Sequence, residues 1–269
     1  MSDSRPVLFI DSGIGGLPYC ADFHKKNPAE SVCYLADTKN FPYGPRKKEE
    51  LVSILTALTE NLLKSANPKI IVLACNTATV SSITSLREKF PHIPFVGTVP
   101  ALKPAAENSN SGKIGVLGTE STIREIGNLN LIENDACRII GIPAPELVEF
   151  VERRLNKASQ HEKTEIVKKY IEIFRKEGAD TLVLGCTHFL YLIEEFRSEA
   201  SNSDLFIEVF DSLAGITKRI EFLLDENDGL LRAEKNQVSN NRLLLTGNGA
   251  SDTLWQTRAQ KLRFKLDRL

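Results

Sequence analysis

The sequence predicts an α/β fold made of two facing domains, each with a mainly parallel sheet, related to one another by a pseudo-two-fold internal repeat. Three observations lead to this prediction. Short apolar runs recur along the chain, helical patterns separate them, and two pairs of similar segments occur in the same order in its two halves. A chain of 269 residues is long enough for two compact domains with full cores.

The apolar runs each end in glycine or a small polar residue and are followed by a helical pattern. This alternation is typical of βα units on a parallel sheet. The predicted strands are 7–10, 32–35, 70–74, 95–97, 113–117, 138–142, 181–185 and 207–210. The segment RLLLTGNG, residues 242–249, predicts one more strand and a turn.

Two segments between the strands carry apolar residues at helical spacing. The first stripe comprises Leu51, Ile54, Leu55, Leu58 and Leu62. The second stripe comprises Ile166, Val167, Tyr170, Ile171 and Phe174. Spacing of three and four residues places such side chains on one helix face, so both segments are predicted to be helices packed on the core.

The internal repeat is weak in identity but ordered in the same way in both halves. VLFIDSGIGGL at 7–17 resembles IGVLGTESTI at 114–123, and IIVLACNT at 70–77 resembles TLVLGCTH at 181–188. In each case an apolar strand leads into small residues and a helix start. The chain is therefore expected to contain two similar βα halves.

Four prolines indicate where the chain crosses between these halves, at positions 91, 94, 100 and 104. We expect the crossing near residue 98 and a return near Asp211. The first α/β domain would then comprise residues 1–97 together with 211–269, and the second residues 98–210.

The composition excludes several classes of protein. Hydrophobic residues make up 42% and charged residues 26%, values that are ordinary for a globular protein. The net charge of −1, with both signs interspersed, gives no sign of a nucleic-acid partner. The polar N-terminus and the short run at 7–10 match neither a signal peptide nor a membrane span, so we expect a cytoplasmic protein with no membrane association.

The five cysteines include no C-x-x-C pair, and an odd number without a secretion signal indicates reduced thiols. Cys75 and Cys186 each stand where an apolar strand passes into a helix start. Unpaired N–H groups at such a point stabilise a thiolate or an anionic ligand. A single cysteine there could simply be buried packing, but two at equivalent points of a repeat favour chemistry.

Ligands of open α/β sheets bind beyond the carboxyl ends of the strands, so facing halves would bring both thiols to one cleft. Two other sites compete with this interpretation. A metal centre is disfavoured because the chain has four histidines and no close Cys or His pair with finger spacing. A cysteine hydrolase using Cys186 and His188 would leave Cys75 unexplained.

The glycine-rich segment at 11–16 follows the first strand and resembles a dinucleotide-binding turn, with Asp37 as the acidic partner after the second strand. The pattern fails because Pro18 occupies the place of its third glycine. Backbone N–H groups of such a turn could still hold a carboxylate. Asp11 is either a helix cap or an acidic group beside the Cys75 thiol.

Two further segments have ordinary alternatives. The segment DTKNFPYGPR at 37–46 is rich in turn formers and could be a plain surface loop. Glu149 and Glu152 on ELVEFVERRL resemble solvated helix charges.

Seven motifs occur in the order found in glutamate racemases of the aspartate/glutamate racemase superfamily. They are DSGIGGL, FPYG, ACNTAT, VPALKPA, GVLGTESTI, ELVEFVE and LGCTHF. The resemblance extends from Val7 to about Leu262, and the CNTA and GCTH motifs are its specific part. Four residues depart from the family pattern: Pro18 and Tyr19, Gly118 where alanine is common, and Asn248 where aspartate is common.

The resemblance implies two α/β domains facing across a deep cleft, no pyridoxal phosphate or other cofactor, no metal, and D-glutamate made for bacterial peptidoglycan. It implies that Cys75 and Cys186 are the catalytic thiols, with Asp11, Glu152 and His188 as helpers, Glu149 being the alternative to Glu152. Asp11 would assist Cys75 with D-glutamate, and His188 would assist Cys186 with L-glutamate. The implied substrate-binding residues are Asp11, Ser12, Tyr43, Gly44, Asn76, Thr77, Thr119, Thr122, Thr187 and His188. A homodimer is expected.

The chemistry of racemisation agrees with two thiols. Inverting an α-carbon requires proton removal on one face and delivery on the other, which suits two acid/base groups. A thiol with an ordinary pKa of about 8.5 lies close enough to neutrality for one thiolate and one thiol. A relative acting on aspartate or another small acid remains an alternative, as does a non-catalytic binding protein that keeps the fold.

Overall fold

The computed structural model describes residues 2–128, 137–202, 206–226, 230–247 and 252–269. The chain divides into two compact units. The first unit comprises Met1–Thr98 and Leu213–Leu269, and the second comprises Val99–Ser212. Each unit has its own sheet.

The strands, in chain order, are β1 Val7–Asp11, β2 Val32–Ala36, β3 Ile70–Leu73, β4 Phe95–Gly97, β5 Lys113–Gly118, β6 Arg138–Pro143, β7 Thr181–Gly185, β8 Glu208–Phe210, β9 Arg242–Leu245 and β10 Lys265–Arg268.

The α-helices are α1 Leu17–Lys26, α2 Lys48–Ser65, α3 Asn76–Lys89, α4 Leu102–Asn108, α5 Glu120–Asn128, α6 Pro145–Glu149, α7 Gln160–Glu177, α8 Ile193–Ser201, α9 Leu213–Glu226 and α10 Asp252–Leu262. A π-helical turn, Phe150–Arg154, follows α6, and a 3₁₀ helix, Thr187–Leu192, precedes α8.

The first unit contains a parallel sheet with the strand order β10-β9-β2-β1-β3-β4. Strands β1, β2 and β3 are buried along their whole length. A parallel strand covered on both faces has no solvent side, which is why these segments read as unbroken apolar runs rather than alternating ones. In the pairing of the central strands, Asp11 lies opposite Ala36 and Ile10 lies opposite Leu73, so their carboxyl ends coincide.

The second unit contains a parallel sheet with the order β6-β5-β7-β8. The order β2-β1-β3-β4 in the first unit is the same arrangement, strand for strand. In both sheets the first strand is central and the next two strands along the chain lie on opposite sides of it. This reversal creates a switch point between β1 and β3, and another between β5 and β7, where such sheets bind ligands.

The structure confirms the predicted α/β class with mainly parallel sheets, and all nine predicted strands are present with ends shifted by one residue at most. Both predicted helices are also present, as α2 and α7. In α7, a capping box between Ser159 and Glu162 defines the start, and Gly178 at φ 76° defines the end. Asn248 and Gly249, at the predicted turn after β9, lie outside the described residues.

One strand was not predicted. Strand β10 has the sequence KLDR, whose charged residues give no apolar run. Among the described strands it pairs only with β9, at the edge of the sheet. Charged side chains are common on edge strands, where they prevent pairing with other chains.

Candidate active site

Cys75 is the residue between β3 and α3. Its backbone is extended, with φ −149° and ψ 120°, and it forms the N-cap of the 14-residue helix α3. The side chain is 7% exposed. The thiol therefore lies at the carboxyl end of a central strand, at the positive end of a helix, which is an environment that favours a thiolate.

The glycine-rich turn after β1 packs directly against this point. A Cβ atom on Gly16 would lie 2.7 Å from both the Cβ and the carbonyl oxygen of Ala74, the residue before Cys75. Asp11 is fully buried, and its Oδ1 accepts a hydrogen bond of 2.7 Å from the Gly13 N–H. Helix α1 has Gly16 as its N-cap, so Asp11 does not cap that helix. The turn thus brings a buried carboxyl group to the strand end next to that of Cys75.

Asn76 follows Cys75 and is almost completely buried. Its Nδ2 donates a hydrogen bond of 3.2 Å to the carbonyl of Thr98, whereas its Oδ1 has no hydrogen-bond partner among the described residues. A buried acceptor without a partner costs free energy, and a ligand N–H group would satisfy it. Ser12 and Thr77 are also buried at this edge of the sheet.

Tyr43 is buried in the same hydrophobic cluster as Cys75, and Gly44 beside it is half-buried. Its hydroxyl donates a 2.7 Å hydrogen bond to Oδ2 of Asp37. Burial raises the pKa of Tyr43 well above its usual value, and the charges of Asp37, Cys75 and Asp11 raise it further. The surface-loop interpretation of 37–46 is therefore wrong for Tyr43, which anchors the segment inside the protein.

Cys186 occupies the corresponding place in the second unit, between β7 and the 3₁₀ helix. Its backbone angles, φ −141° and ψ 133°, are close to those of Cys75, and its side chain is 6% exposed. The sequence predicted a helix start here, and the structure has one, but its first six residues form a 3₁₀ helix before α8 begins. The two thiols thus share backbone conformation, strand-end position and burial.

His188 lies against the Cys186 thiol. Its Nδ1 is 3.8 Å from the Cys186 sulfur, and its Nε2 is 2.8 Å from Oε1 of Glu152. Burial alone lowers the pKa of His188, but its contacts with Cys186 and Glu152 reverse this and raise the pKa well above the usual value of 6.5. The arrangement is a carboxylate–imidazole–thiol chain, in which a charged imidazole favours a thiolate beside it.

Glu152 belongs to the π-helical turn, whereas Glu149 ends the preceding helix α6. The Glu152 side chain is 13% exposed and contacts His188. The Glu149 side chain is 65% exposed and pairs with Arg153 on the surface. The structure thus places Glu152, and not Glu149, beside the imidazole, so the solvated-charge interpretation is wrong for Glu152. Single π turns inside helices are often found at functional sites.

The end of β5 supplies hydroxyl groups to the second unit's switch point. The Thr119 and Thr122 hydroxyl oxygens are 3.0 Å apart, and the Thr122 N–H donates to the Thr119 oxygen at 3.3 Å. Thr122 is buried, as is Thr187, which follows Cys186. In this unit the structure brings together Thr119, Thr122, Glu152, Cys186, Thr187 and His188 at the carboxyl edge of one sheet.

Two features of these sites were missed by sequence reasoning. The sequence suggests only a dinucleotide-binding role for Asp37, whereas its carboxylate accepts a hydrogen bond from the Tyr43 hydroxyl. The π-helical turn leaves no signal in the apolar pattern. Among the described residues, no group of three or more His, Cys, Asp or Glu side chains is placed to hold a metal ion. No described helix is long and apolar enough to cross a membrane.

Comparison with known proteins identifies relatives over most of the chain. The family Asp/Glu/Hydantoin racemase matches residues 20–217. A glutamate racemase of Bartonella tribocorum is 36% identical over 256 residues, covering 93% of this chain and 92% of the relative. A glutamate racemase of Ectopseudomonas mendocina is 36% identical over 225 residues, covering 83% of each chain.

Solved structures agree with this result. The crystal structure of Escherichia coli glutamate racemase with L-glutamate and an activator superposes with a TM-score of 0.84 at 29% identity, covering 98% of both chains. A glutamate racemase isoform from Bacillus anthracis gives a TM-score of 0.82 at 28% identity, covering 99% of this chain and 98% of the other. With matching motifs, fold and relatives, the chain belongs to the glutamate racemases of the Asp/Glu/Hydantoin racemase family.

Proposed function

We propose that this chain interconverts L-glutamate and D-glutamate, with Cys75 and Cys186 as the acid/base groups for opposite faces of the α-carbon. The observation that carries the two-thiol mechanism is the equivalence of the two cysteines. Each follows a strand at its sheet's switch point, in the same extended conformation and with almost the same burial. The glutamate racemase of Escherichia coli, which has the same fold, was solved with L-glutamate.

In the proposed reaction one cysteine enters as a thiolate and the other as a thiol. With L-glutamate, the Cys186 thiolate removes the α-proton, and the Cys75 thiol delivers its own proton to the opposite face. The product is D-glutamate, and the two thiols have exchanged protonation states. D-Glutamate reacts in the reverse direction, so each thiol needs a site that tolerates both of its states.

The surroundings of Cys186 suit the removal of a proton from L-glutamate. A protonated His188 places a positive charge 3.8 Å from the sulfur, and Glu152 holds the imidazole at its other nitrogen. These contacts stabilise the negative charge of a thiolate. Asp11 would assist Cys75 in the other direction.

Polar groups near the thiols would hold the substrate. The unpartnered Oδ1 of Asn76 is suited to accept a hydrogen bond from the substrate's ammonium group. Hydroxyl groups of Ser12, Thr77, Thr119, Thr122 and Thr187, with backbone N–H groups near Gly44, are suited to its carboxylates. Fixed donors of this kind stabilise the charge that develops on the carbon without reorganising.

The test is a measurement of L-to-D conversion by circular dichroism with purified protein and no added cofactor. We expect conversion of glutamate from either enantiomer to a racemic mixture, and much slower conversion of aspartate. No conversion of glutamate would overturn the proposal, and faster conversion of aspartate would assign the chain to the small-acid alternative.

We also propose that the reaction needs neither metal nor pyridoxal phosphate. Activity should survive dialysis against a chelator, and activity lost on chelation and restored by a divalent metal would contradict this. The family resemblance further leads us to propose a cytoplasmic homodimer that supplies D-glutamate for peptidoglycan. Sedimentation analysis of the purified chain would test the dimer.

A further inference from the structure

Asp37 is a buried carboxylate that no part of the proposed proton transfer uses. It follows β2 and is 0% exposed. Its Oδ2 accepts hydrogen bonds from the Tyr43 hydroxyl at 2.7 Å and from Asn40 Nδ2 at 2.9 Å. Its Oδ1 accepts from the Thr246 hydroxyl at 2.5 Å and from the same Asn40 nitrogen at 3.0 Å. Its own N–H donates to the Asp11 carbonyl at 2.8 Å.

The donors around Asp37 are all neutral. None of the ion pairs between described residues includes it, so hydrogen bonds alone compensate for the loss of hydration. Burying a carboxylate in this way is expensive compared with packing an apolar side chain in the same volume. The hydrogen bonds engage both carboxylate oxygens, so the Asp37 side chain is held in one place and in turn holds the groups that donate to it.

Asp37 joins three segments that are distant in sequence. Tyr43 belongs to the turn after β2, Thr246 follows β9, and Asp11 ends β1. Tyr43 shares the buried cluster of Cys75, and the charges of Cys75 and Asp11 both act on its hydroxyl. With its proton directed to Asp37, the Tyr43 oxygen faces its other neighbours only as an acceptor.

We propose that Asp37 is a positioning residue for racemisation, which fixes Tyr43 and the adjoining Gly44 beside Cys75 so that the turn is ready to receive glutamate. This inference rests on the proposed function. Asp37 touches neither the substrate nor the reacting atoms, and it acts through Tyr43. Its loss therefore weakens substrate binding more than it slows the proton transfers.

The decisive experiment is a double-mutant cycle of Asp37→Asn and Tyr43→Phe, with kcat and KM measured for both enantiomers of glutamate. We expect each single variant to raise KM about tenfold with a smaller change in kcat. If Asp37 acts through Tyr43, the double variant should show about the same KM as either single variant, and not the product of the two increases. Multiplying effects would show that Asp37 acts independently of Tyr43 and would overturn the proposal.

Asp180→Asn is the matched control. This carboxylate also accepts hydrogen bonds from neutral donors, but it lies in the second unit, at the amino end of β7, where it holds a loop. Asp180 accepts hydrogen bonds from the Ser109 hydroxyl at 2.6 Å and from the N–H groups of Asn110 and Ser111 at 2.7 Å. This variant should lower Tm and leave KM unchanged. If Asp37→Asn behaved in the same way, its role would be structural only and the proposal would be wrong.

Thr246→Val provides a milder variant if Asp37→Asn does not fold. It removes one donor to Asp37 and keeps the charge, so we expect KM to rise about threefold. An unchanged KM in both Thr246→Val and Tyr43→Phe would contradict the proposal. If the wild-type chain does not racemise glutamate, both the proposed function and this inference are refuted. If the wild-type chain racemises glutamate but these variants leave KM unchanged, this inference alone is refuted.

Discussion

Cys75 and Cys186 have similar backbone conformations but different neighbouring side chains. Both thiols lie at a switch point in an extended conformation, with φ −149° and φ −141°. Cys186 has an imidazole at 3.8 Å that is held by a carboxylate. Cys75 shares its surroundings with the Tyr43 hydroxyl and Asp11. A repeated fold thus supplies two equivalent thiols, and the differing side chains around them, both inside and outside the repeated motifs, make their environments unequal.

The different neighbours of the two thiols also differ in charge. A protonated His188 attracts negative charge on Cys186, whereas at Cys75 the positive end of α3 attracts negative charge and the Asp11 carboxylate repels it. The two thiols therefore differ in their titratable neighbours, an imidazole at Cys186 and a carboxyl group near Cys75.

The largest effect is expected from removal of either thiol. Cys75→Ala and Cys186→Ala should each reduce kcat for glutamate racemisation by about 10³-fold or more, because each removes the acid/base group for one face. Cys137→Ala is the control, since Cys137 is a free thiol packed on the core of the second unit. Circular dichroism of the substrate measures all three. An active Cys75→Ala or Cys186→Ala variant would show that only one thiol is needed.

The helper groups should affect opposite directions of the reaction. The equilibrium constant between enantiomers is one, so kcat/KM stays equal in both directions in every variant, and isotope effects are the informative measurement. His188→Asn should increase the primary isotope effect with α-deuterated L-glutamate, and Asp11→Asn should do so with α-deuterated D-glutamate. We expect turnover to fall about 10²-fold in each. Isotope effects equal to those of the parent protein would refute this division of roles.

Glu152→Gln should change the pH dependence on the Cys186 side. Glu152 helps to raise the pKa of His188, so its loss should move the alkaline limb of the kcat/KM profile to lower pH. One charge-assisted hydrogen bond contributes about 1.5 kcal/mol, so kcat/KM should fall about tenfold. Glu149→Gln, on the surface three residues earlier, should leave the profile unchanged. Identical profiles for both variants would exclude Glu152 from the carboxylate–imidazole–thiol chain.

The raised pKa of His188 also affects the free energy of unfolding. A histidine with a raised pKa in the folded protein stabilises it fully below its unfolded value of about 6.5, and this contribution is lost as pH rises through the folded pKa. The free energy of unfolding of Glu152→Gln should therefore differ most from that of the parent below pH 6.5. Denaturant titrations at several pH values measure this difference, and a gap that widens with pH would contradict the assignment.

The smallest effects concern two glycines, Gly16 at the start of α1 and Gly118 at the end of β5. Gly16→Ala should lower the free energy of unfolding by about 2 kcal/mol, because the new methyl group would lie 2.7 Å from Ala74. Gly118→Ala should change it by less than about 0.5 kcal/mol, since the nearest atom is the end of the Ile123 side chain at 3.3 Å. Thermal or denaturant unfolding compares the two. Equal losses of unfolding free energy would mean that Gly16 and Gly118 are equally crowded.

The strands were predictable because parallel strands buried on both faces must be continuous apolar runs, as in 70–74 and 181–185. The two thiols were predictable because the repeat placed them after equivalent strands. Strand β10 was not predictable, since an edge strand with one neighbour needs little apolar surface.

The unpredicted parts of the candidate sites depend on side-chain directions within the fold. The π-helical turn determines which helix face Glu149 and Glu152 occupy, and therefore which of them contacts His188. Nothing in the amino-acid composition of the segment indicates this turn. The pairing of Asp37 with Thr246 joins positions far apart in the chain, and nothing in either local segment indicates the partner. Local patterns therefore identify strand ends, while contacts between distant segments decide what surrounds them.

The first unit is built from two separate stretches of the chain, and this affects the order of folding during translation. Strand β9 pairs with β2, and Thr246 after it donates to Asp37, so these contacts must wait until the ribosome has synthesised the entire intervening second unit. Domains fold as their residues emerge, and the second unit is one uninterrupted stretch, Val99–Ser212. The growing chain therefore completes the surroundings of Cys186 first, although Cys75 is made more than a hundred residues earlier.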